Sequence, residues 1–257
     1  MSGAAAAGAG PATSTYDGVE SRELGPRIGA GPLHVFESVS STMDVAHALA
    51  ADGATAGTAV LSDMQRAGRG RLGRAWQSDP GQGVWITLVE RPRDASGVEV
   101  LSLRVGLALA EALDPLAPSP VRLKWPNDLY TAEGKLAGIL IEARWRDARL
   151  DWVAIGIGVN VRPSGHPGAG ALRPGTSRVD ALARIIPAVR AAAARPGSLS
   201  ADEVARFHAR DLAVGRRAAA PSPGIVAGID ASGAILIAGP DGTQRHRTGS
   251  LVFAEDV

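Results

Sequence analysis

Three arginines and three glycines fall within the seven residues 68–74, GRGRLGR. A guanidinium donates planar, charge-assisted hydrogen bonds to anions, and glycine lets the backbone approach a ligand closely. In an extended chain, Arg69 and Arg71 would point to the same side. The pattern favours a binding site for an anion with several oxygen atoms. A solvated basic turn and an arginine–glycine segment that contacts nucleic acid are the alternatives that these residues leave open.

The same residues also fit G-x-G-x-x-G, the glycine pattern of dinucleotide-binding folds, and the acidic Glu90 follows about 20 residues later, as that pattern requires. That fold needs a helix after the last glycine, whereas residues 77–83, QSDPGQG, cannot form one. The sequence also has no G-x-x-x-x-G-K-[ST] phosphate loop and no G-x-S-x-G nucleophile elbow. If the protein uses ATP, arginines and a lysine must therefore hold the phosphates.

Three further segments have unusual combinations of residues. Residues 124–128, KWPND, end a predicted strand and turn at the proline, which is also ordinary turn chemistry. Residues 134–142, GKLAGILIE, place Lys135 at the start of an apolar strand, where a lysine normally protects a solvated sheet edge. Residues 156–160, GIGVN, close another apolar strand with two glycines, which indicates close approach by a second segment or a ligand.

Composition excludes several classes of function. The 27 basic and 26 acidic residues nearly cancel, so no global field attracts nucleic acid or a membrane. There is no cysteine for a disulfide, a thiolate metal site or a nucleophile, and the five histidines show no metal-ligand spacing. No apolar run approaches the roughly 20 residues of a membrane helix, and the N-terminus does not resemble a signal peptide. These features predict a cytoplasmic protein.

The pattern of apolar residues predicts an α+β fold. Residues 1–31, rich in alanine, glycine and proline, are predicted to form a flexible tail. Helices are predicted at 45–51, with a cap at Ser41, and at 98–113, 177–195 and 201–213. Strands are predicted at 33–36, 58–61, 84–89, 121–125, 136–143 and 152–159, the last two as a hairpin. From residue 214, short strands at 224–226 and 234–237 and a turn at Asp241-Gly242 predict a small β-unit.

Taken in this order, the chemical segments resemble those of the bacterial biotin–protein ligases. That family has a Ser-Thr pair, then Q-x-x-GRGRxGR-x-W, KWPND, GKLAGIL-x-E and G-x-G-x-N. The corresponding positions here are Ser41-Thr42, Gln65, residues 68–74 with Trp76, and residues 124–128, 134–142 and 156–160. The resemblance is close over residues 35–160 and loose from residue 214. Each motif alone is modest, but five of them in one order are highly specific.

The resemblance implies an ATP-dependent enzyme that forms biotinyl-5′-adenylate and transfers biotin to a lysine of a biotin carboxyl carrier protein. It implies a catalytic domain at 32–213, with a mixed sheet flanked by helices as in class II aminoacyl-tRNA synthetases. Residues 214–257 would form an SH3-like β-barrel. Ser250 stands where many relatives have an acidic residue, so we assign no site role to this small domain.

The resemblance also implies roles for individual residues. Lys135 and Arg69 are the expected catalytic residues. The expected biotin-binding residues are Ser41, Thr42, Met43, Gln65, Arg69, Gly70, Arg71, Lys135 and Gly138. The expected residues for ATP and the adenylate are Arg71, Arg74, Trp76, Asn127, Asp128, Lys135 and Asn160. Mg²⁺ should accompany ATP near Asp128, although no set of metal ligands is implied.

Some family members carry an N-terminal helix-turn-helix domain and repress transcription. The residues before position 32 are too few and too poor in pattern for that module, so we expect a ligase without DNA or membrane binding, either a monomer or a homodimer. Three rival functions make different demands on the sequence. A lipoate–protein ligase would use a different arginine–glycine pattern, a nucleic-acid binder should be strongly basic, and a regulatory biotin sensor should have the DNA-binding module.

Overall fold

The computed structural model describes residues 8–256, which form fourteen strands and five α-helices. The strands are β1 (Thr15–Tyr16), β2 (Val19–Glu20), β3 (Leu33–Val39), β4 (Thr58–Gln65), β5 (Gly83–Glu90), β6 (Arg122–Lys124), β7 (Asp128–Thr131), β8 (Gly134–Arg146), β9 (Arg149–Asn160), β10 (Arg217–Ala220), β11 (Gly224–Ile229), β12 (Ile235–Gly239), β13 (Gly242–His246) and β14 (Val252–Phe253). The helices are α1 (Ser21–Ile28), α2 (Thr42–Ala51), α3 (Leu101–Leu113), α4 (Arg178–Ala193) and α5 (Ala201–Arg210).

A seven-stranded mixed sheet forms the centre of the protein, with the spatial order β3-β4-β5-β9-β8-β7-β6. Strands β3 and β4 are parallel and all other neighbours are antiparallel. Strand β5 reads GVWITLVE and is buried on both faces, because helix α4 covers one face and α2 the other. The predicted α+β fold with a mixed sheet is confirmed.

The β8–β9 hairpin is the longest pairing in the sheet and runs from Ala137 opposite Val159 to Arg146 opposite Arg149. Its two turn residues, Asp147 and Ala148, both have positive φ angles, 48° and 62°. A two-residue turn of this kind matches the right-handed twist of the strands. The predicted hairpin at this position is confirmed.

Five short antiparallel strands form the C-terminal unit, in the order β13-β12-β11-β10-β14. This sheet is consistent with the predicted SH3-like domain. The predicted turn at Asp241-Gly242 joins β12 to β13, where Gly239 pairs with Gly242. The unit packs on the domain built around the seven-stranded sheet, and the buried Trp125 indole donates a 3.0 Å hydrogen bond to the carbonyl of Gly233.

The prediction of a flexible tail at 1–31 is wrong for residues 8–31; residues 1–7 lie outside the described residues. Residues 8–13 run along the outer edge of β3, where the Gly10 amide donates to the carbonyl of Ser38 at 2.9 Å. Leu24 and Ile28, one helical turn apart in α1, are buried in the core. Low-complexity composition hid this short amphipathic spacing, and its burial stabilises the segment.

No described helix has the length and apolar character needed to cross a membrane.

Asp211 lies at the junction between α5 and the C-terminal unit, and its side chain is buried. One carboxylate oxygen accepts a 2.8 Å hydrogen bond from the Ala213 amide, and the other has no partner among the described residues. Burial raises the pKa of Asp211 to about 6. Since the folded protein binds this proton more tightly than the unfolded chain, ionisation at neutral pH destabilises the fold.

We expect Asp211→Asn to stabilise the protein by on the order of 2 kcal/mol at pH 7.5. The gain should shrink as the pH falls from about 6 toward 4, where the native carboxyl becomes protonated. Thermal unfolding from pH 4 to pH 8 measures this difference. Asp241→Asn, at an exposed hairpin turn, is the control. A gain for Asp211→Asn that does not change with pH would contradict the assignment.

Candidate active site

A cavity of about 280 Å³ opens where the start of α2, the arginine-rich loop and strands β7 to β9 meet. Of the residues predicted for the site, all except Asn160 line this cavity. They are Ser41, Thr42, Met43, Gln65, Arg69, Gly70, Arg71, Arg74, Trp76, Asn127, Asp128, Lys135 and Gly138. Residues from segments up to 97 positions apart in the sequence therefore share one site, Ser41 being the first and Gly138 the last.

A polar network forms one wall of the cavity at the start of α2. Ser41 caps this helix as predicted, with its hydroxyl accepting from the Met43 amide at 3.3 Å. Both the amide and the hydroxyl of Thr42 donate to the side-chain oxygen of Gln65, at 2.9 and 3.1 Å. The Gln65 side-chain nitrogen in turn donates to the Ser78 hydroxyl at 2.9 Å. Gln65 is therefore fixed at both ends of its amide.

Thr87 completes this network, and the sequence reasoning missed it. Its hydroxyl lies 2.9 Å from that of Thr42 and is fully buried. Because the Thr42 hydroxyl donates to Gln65, Thr87 must donate to Thr42. The signal in the sequence was a single hydroxyl residue within the apolar run of β5.

Glycines in the sheet make room for the floor of the cavity. Gly138 and Gly158 lie opposite each other on β8 and β9. A Cβ atom at these positions would lie 2.8 and 2.5 Å from the nearest atoms of the Trp76 ring. The indole thus lies directly on the sheet backbone, and the Lys135 ammonium lies 5.2 Å from its ring centroid. This explains why β8 and β9 carry glycine in otherwise apolar strands.

Lys135 and Arg71 lie beside the KWPND turn. The Lys135 ammonium is 2.7 Å from one oxygen of Asp128, whose other oxygen is buried without a partner among the described residues. Arg71 contacts the Asn127 side-chain oxygen at 3.5 Å. Partial burial lowers the pKa of Arg71, an effect that Asp128 opposes and Arg74 reinforces. The charge of Arg71 is thus poorly compensated, and a bound anion would stabilise it.

Arg69 is held differently, because the loop is not extended. Residues Arg71–Gly73 form a 3-10 turn in which Leu72 has a φ of 56° and is 75% exposed. The Arg69 guanidinium lies 2.8 Å from Asp44 on α2 and 3.5 Å from Glu142 on β8. The extended conformation in which Arg69 and Arg71 were expected to point to the same side is therefore not present at this turn. The two arginines have different partners, although both line the first cavity.

Asn160 lines a second cavity, of about 410 Å³, next to the first. Its side-chain nitrogen donates to the carbonyl of Lys135 at 3.0 Å. Trp76 and Lys135 line both cavities, so they form a shared wall. The indole nitrogens of Trp76 and Trp85 are buried here without a hydrogen-bond partner among the described residues.

The C-terminal unit also reaches the first cavity, although no site role was predicted for it. Ser250 and Leu251 line the wall, beside Lys124. The Lys124 ammonium lies 4.6 Å from the centroid of the Phe253 ring. Burial lowers the pKa of Lys124. The sequence contains two lysines, Lys124 and Lys135, and both line this cavity.

Between residues 8 and 256, no group of three or more histidine and acidic side chains is placed to hold a metal ion. A cation near Asp128 would therefore be coordinated mainly by atoms of a bound substrate.

Comparison with known proteins identifies relatives with a common fold. A family model described as the biotin/lipoate A/B protein ligase family matches residues 35–160. The biotin–[acetyl-CoA-carboxylase] ligase of Paracoccus denitrificans is 36% identical over 217 residues, which are 76% of this chain and 89% of that protein. The bifunctional ligase/repressor BirA of Bacillus subtilis is 39% identical over 138 residues, 52% of this chain and 42% of that protein. This chain thus matches less than half the length of that bifunctional relative.

Among solved structures, the biotin protein ligase of Aquifex aeolicus in complex with biotin and ATP has the same fold. It superimposes with a TM-score of 0.69 and 26% identity, over 86% of this chain and 97% of that chain.

Gly158→Ala should push Trp76 off the sheet and lower the free energy of unfolding by about 1–3 kcal/mol, the usual cost of overpacking. In a Trp76→Ala background the same substitution should cost only a few tenths of a kcal/mol, since the ring is gone. Urea unfolding of the four proteins in this double-mutant cycle measures the coupling. Equal costs in both backgrounds would show that Trp76 does not rest on Gly158.

Proposed function

The chain belongs to the biotin/lipoate A/B protein ligase family, and from this premise we propose that it is an ATP-dependent biotin–protein ligase. It forms biotinyl-5′-adenylate from biotin and ATP, then transfers biotin to a lysine of the biotin carboxyl carrier domain of a carboxylase. The observation that carries the proposal is the pair of adjoining cavities with Lys135 and Trp76 in their shared wall. With biotin in one cavity and ATP in the other, the carboxylate and the α-phosphate would come together at this shared wall.

In this proposal the first cavity binds biotin. The ureido group of biotin needs a few fixed hydrogen-bonding partners, and the network of Ser41, Thr42 and Gln65 is already ordered by internal hydrogen bonds. The apolar ring needs an apolar wall, which Met43 and Trp76 supply. The full set proposed for biotin is Ser41, Thr42, Met43, Gln65, Arg69, Gly70, Arg71, Lys135 and Gly138.

The second cavity and the KWPND turn bind the nucleotide. The set proposed for ATP and the adenylate is Arg71, Arg74, Trp76, Asn127, Asp128, Lys135 and Asn160. Mg²⁺ bound to ATP would neutralise the departing pyrophosphate. Asp128 would lie near that ion, and its carboxylate would help to balance the charge of the ion.

The first chemical step joins two anions. A carboxylate oxygen of biotin attacks the α-phosphorus of ATP, the bond to the β-phosphate breaks, and pyrophosphate leaves with the electron pair. The two substrates repel each other on approach, so fixed cations at the contact stabilise the transition state more than the separated substrates. Lys135 bridges carboxylate and phosphate in this proposal, and Arg69 and Arg71 add positive charge to the same wall.

The second step transfers the acyl group. The neutral amine of the carrier lysine attacks the acyl carbon, AMP leaves, and the amine loses a proton. The mixed anhydride hydrolyses if water reaches it, so it must be shielded until the carrier arrives. The arginine loop (residues 68–74) borders the first cavity and can serve as this cover. Because the reaction consumes ATP, we propose a cytoplasmic location.

Lys135→Ala should reduce biotin-dependent exchange of pyrophosphate into ATP by on the order of 10²-fold or more, because one preorganised transition-state cation is lost. Arg149→Ala, at an exposed position in the β8–β9 hairpin, should exchange at the wild-type rate. A near wild-type rate for Lys135→Ala would contradict its role. Lipoate in place of biotin should support no exchange, and exchange with lipoate alone would favour a lipoate ligase.

Arg71→Ala or Arg69→Ala should release the adenylate early, because the loop that covers it is weakened. Rapid gel filtration after incubation with biotin and radiolabelled ATP measures how much adenylate stays bound. We expect retention to fall while exchange activity is reduced less strongly. Wild-type retention in both variants would mean that the loop does not shield the intermediate.

A further inference from the structure

We infer that Glu142 is a positioning residue that, oriented by His47, holds Arg69 and the arginine loop at the wall of the biotin cavity. Glu142, His47 and Asp44 do not line either cavity, so none of them is placed to touch a substrate. Arg69 does line the first cavity and is bound to two of them. The inference rests on the proposed function, because it assigns a purpose to the order of this loop.

Glu142 lies on β8 with partners on two sides. One of its oxygens lies 2.8 Å from Nε2 of His47, on α2, and the other lies 3.5 Å from the Arg69 guanidinium. The side chains of His47 and Glu142 are 12% and 24% exposed. Arg144 is a weaker third partner, 3.7 Å away and 54% exposed. The partly buried contacts should carry more free energy than the exposed one, which solvent screens.

The protonation state of His47 follows from its other neighbour. The Trp152 indole nitrogen lies 2.9 Å from Nδ1 of His47 and can only donate. Nδ1 must therefore accept, and the single ring proton is on Nε2, which donates to Glu142. Burial lowers the pKa of His47, which agrees with a neutral ring. Trp152 thus orients His47, and His47 leaves the second oxygen of Glu142 free for Arg69.

Asp44 provides the other half of this clamp, from the first turn of α2. It lies 2.8 Å from the Arg69 guanidinium but is 43% exposed, nearly twice as exposed as Glu142. Asp44 and Glu142, which lie on different elements, thus hold Arg69 near the start of the arginine loop. The 3-10 turn that follows in this loop makes no ion pair with a carboxylate of the described residues. Order in residues 68–74 should depend more on Glu142 than on Asp44, since the more buried carboxylate is also oriented by His47.

Glu142→Gln tests the inference, because an amide has one acceptor oxygen and cannot serve both His47 and Arg69. We expect the KM for biotin to rise about tenfold with kcat changed much less, as for the loss of a charge-assisted hydrogen bond. Amide hydrogen exchange of residues 68–74, measured without substrates, should become faster. Arg144→Gln is the matched control, since it removes only the exposed partner of the same carboxylate and should change neither quantity.

A second pair of variants separates positioning from simple stability. In His47→Gln the side-chain oxygen can accept from Trp152 while the nitrogen donates to Glu142, so loop exchange and KM should stay near wild type. His47→Leu fills similar space without these bonds and should behave like Glu142→Gln. If Glu142→Gln leaves loop exchange and KM unchanged, or lowers the KM, the inference is wrong. If the wild-type protein shows no biotin-dependent exchange, the proposed function fails instead, while the loop measurement still stands.

Discussion

The need to hold several positive charges together in a partly buried pocket constrains the whole site. Lysine and arginine side chains of like charge repel each other more strongly away from water. Carboxylates on neighbouring elements offset this repulsion. Asp128 lies beside Lys135, and Asp44 and Glu142 lie beside Arg69. Arg71 has no carboxylate at ion-pair distance among the described residues and burial lowers its pKa, so a bound anion would stabilise its charge. Arg69 is thus held by carboxylates of the protein, whereas Arg71 would be stabilised by an anionic ligand.

This charge arrangement depends on the central sheet. Lys135, Gly138 and Glu142 lie on one strand, β8. This single strand therefore carries the lysine at the cavity wall, the glycine on which Trp76 packs and the carboxylate that contacts Arg69. The antiparallel register places Gly138 opposite Gly158, and both glycines are needed for the indole to reach the backbone. A shift of that register by one residue would turn Lys135 and Glu142 to the opposite face and dismantle the site. The long β8–β9 pairing makes such a shift costly.

The sequence motifs predicted most of the residues that converge on the first cavity, because they consist of residue types with few other uses. Helix capping at Ser41 and the β8–β9 hairpin were also predictable, since both are local effects. The roles of Asp44 and His47 were not predictable, because they depend on where α2 crosses the sheet. The turn at Leu72 was missed because Arg-Leu-Gly has no strong turn signal, and α1 was missed because alanine and glycine dominate the residues before it.

The composition of basic residues has a chemical consequence for labelling. Apart from Lys124, Lys135 and the five histidines, every basic side chain is an arginine. A guanidinium is a far poorer nucleophile toward activated esters than an amine. If the proposed reaction takes place, an activated acyl group that escapes the pocket would meet no lysine on this protein outside the pocket. Apart from the α-amino group, the amines of this protein are the two lysines of the pocket. Amine-directed crosslinking or immobilisation would therefore also modify the pocket, so attachment of this protein to a support should use another side chain.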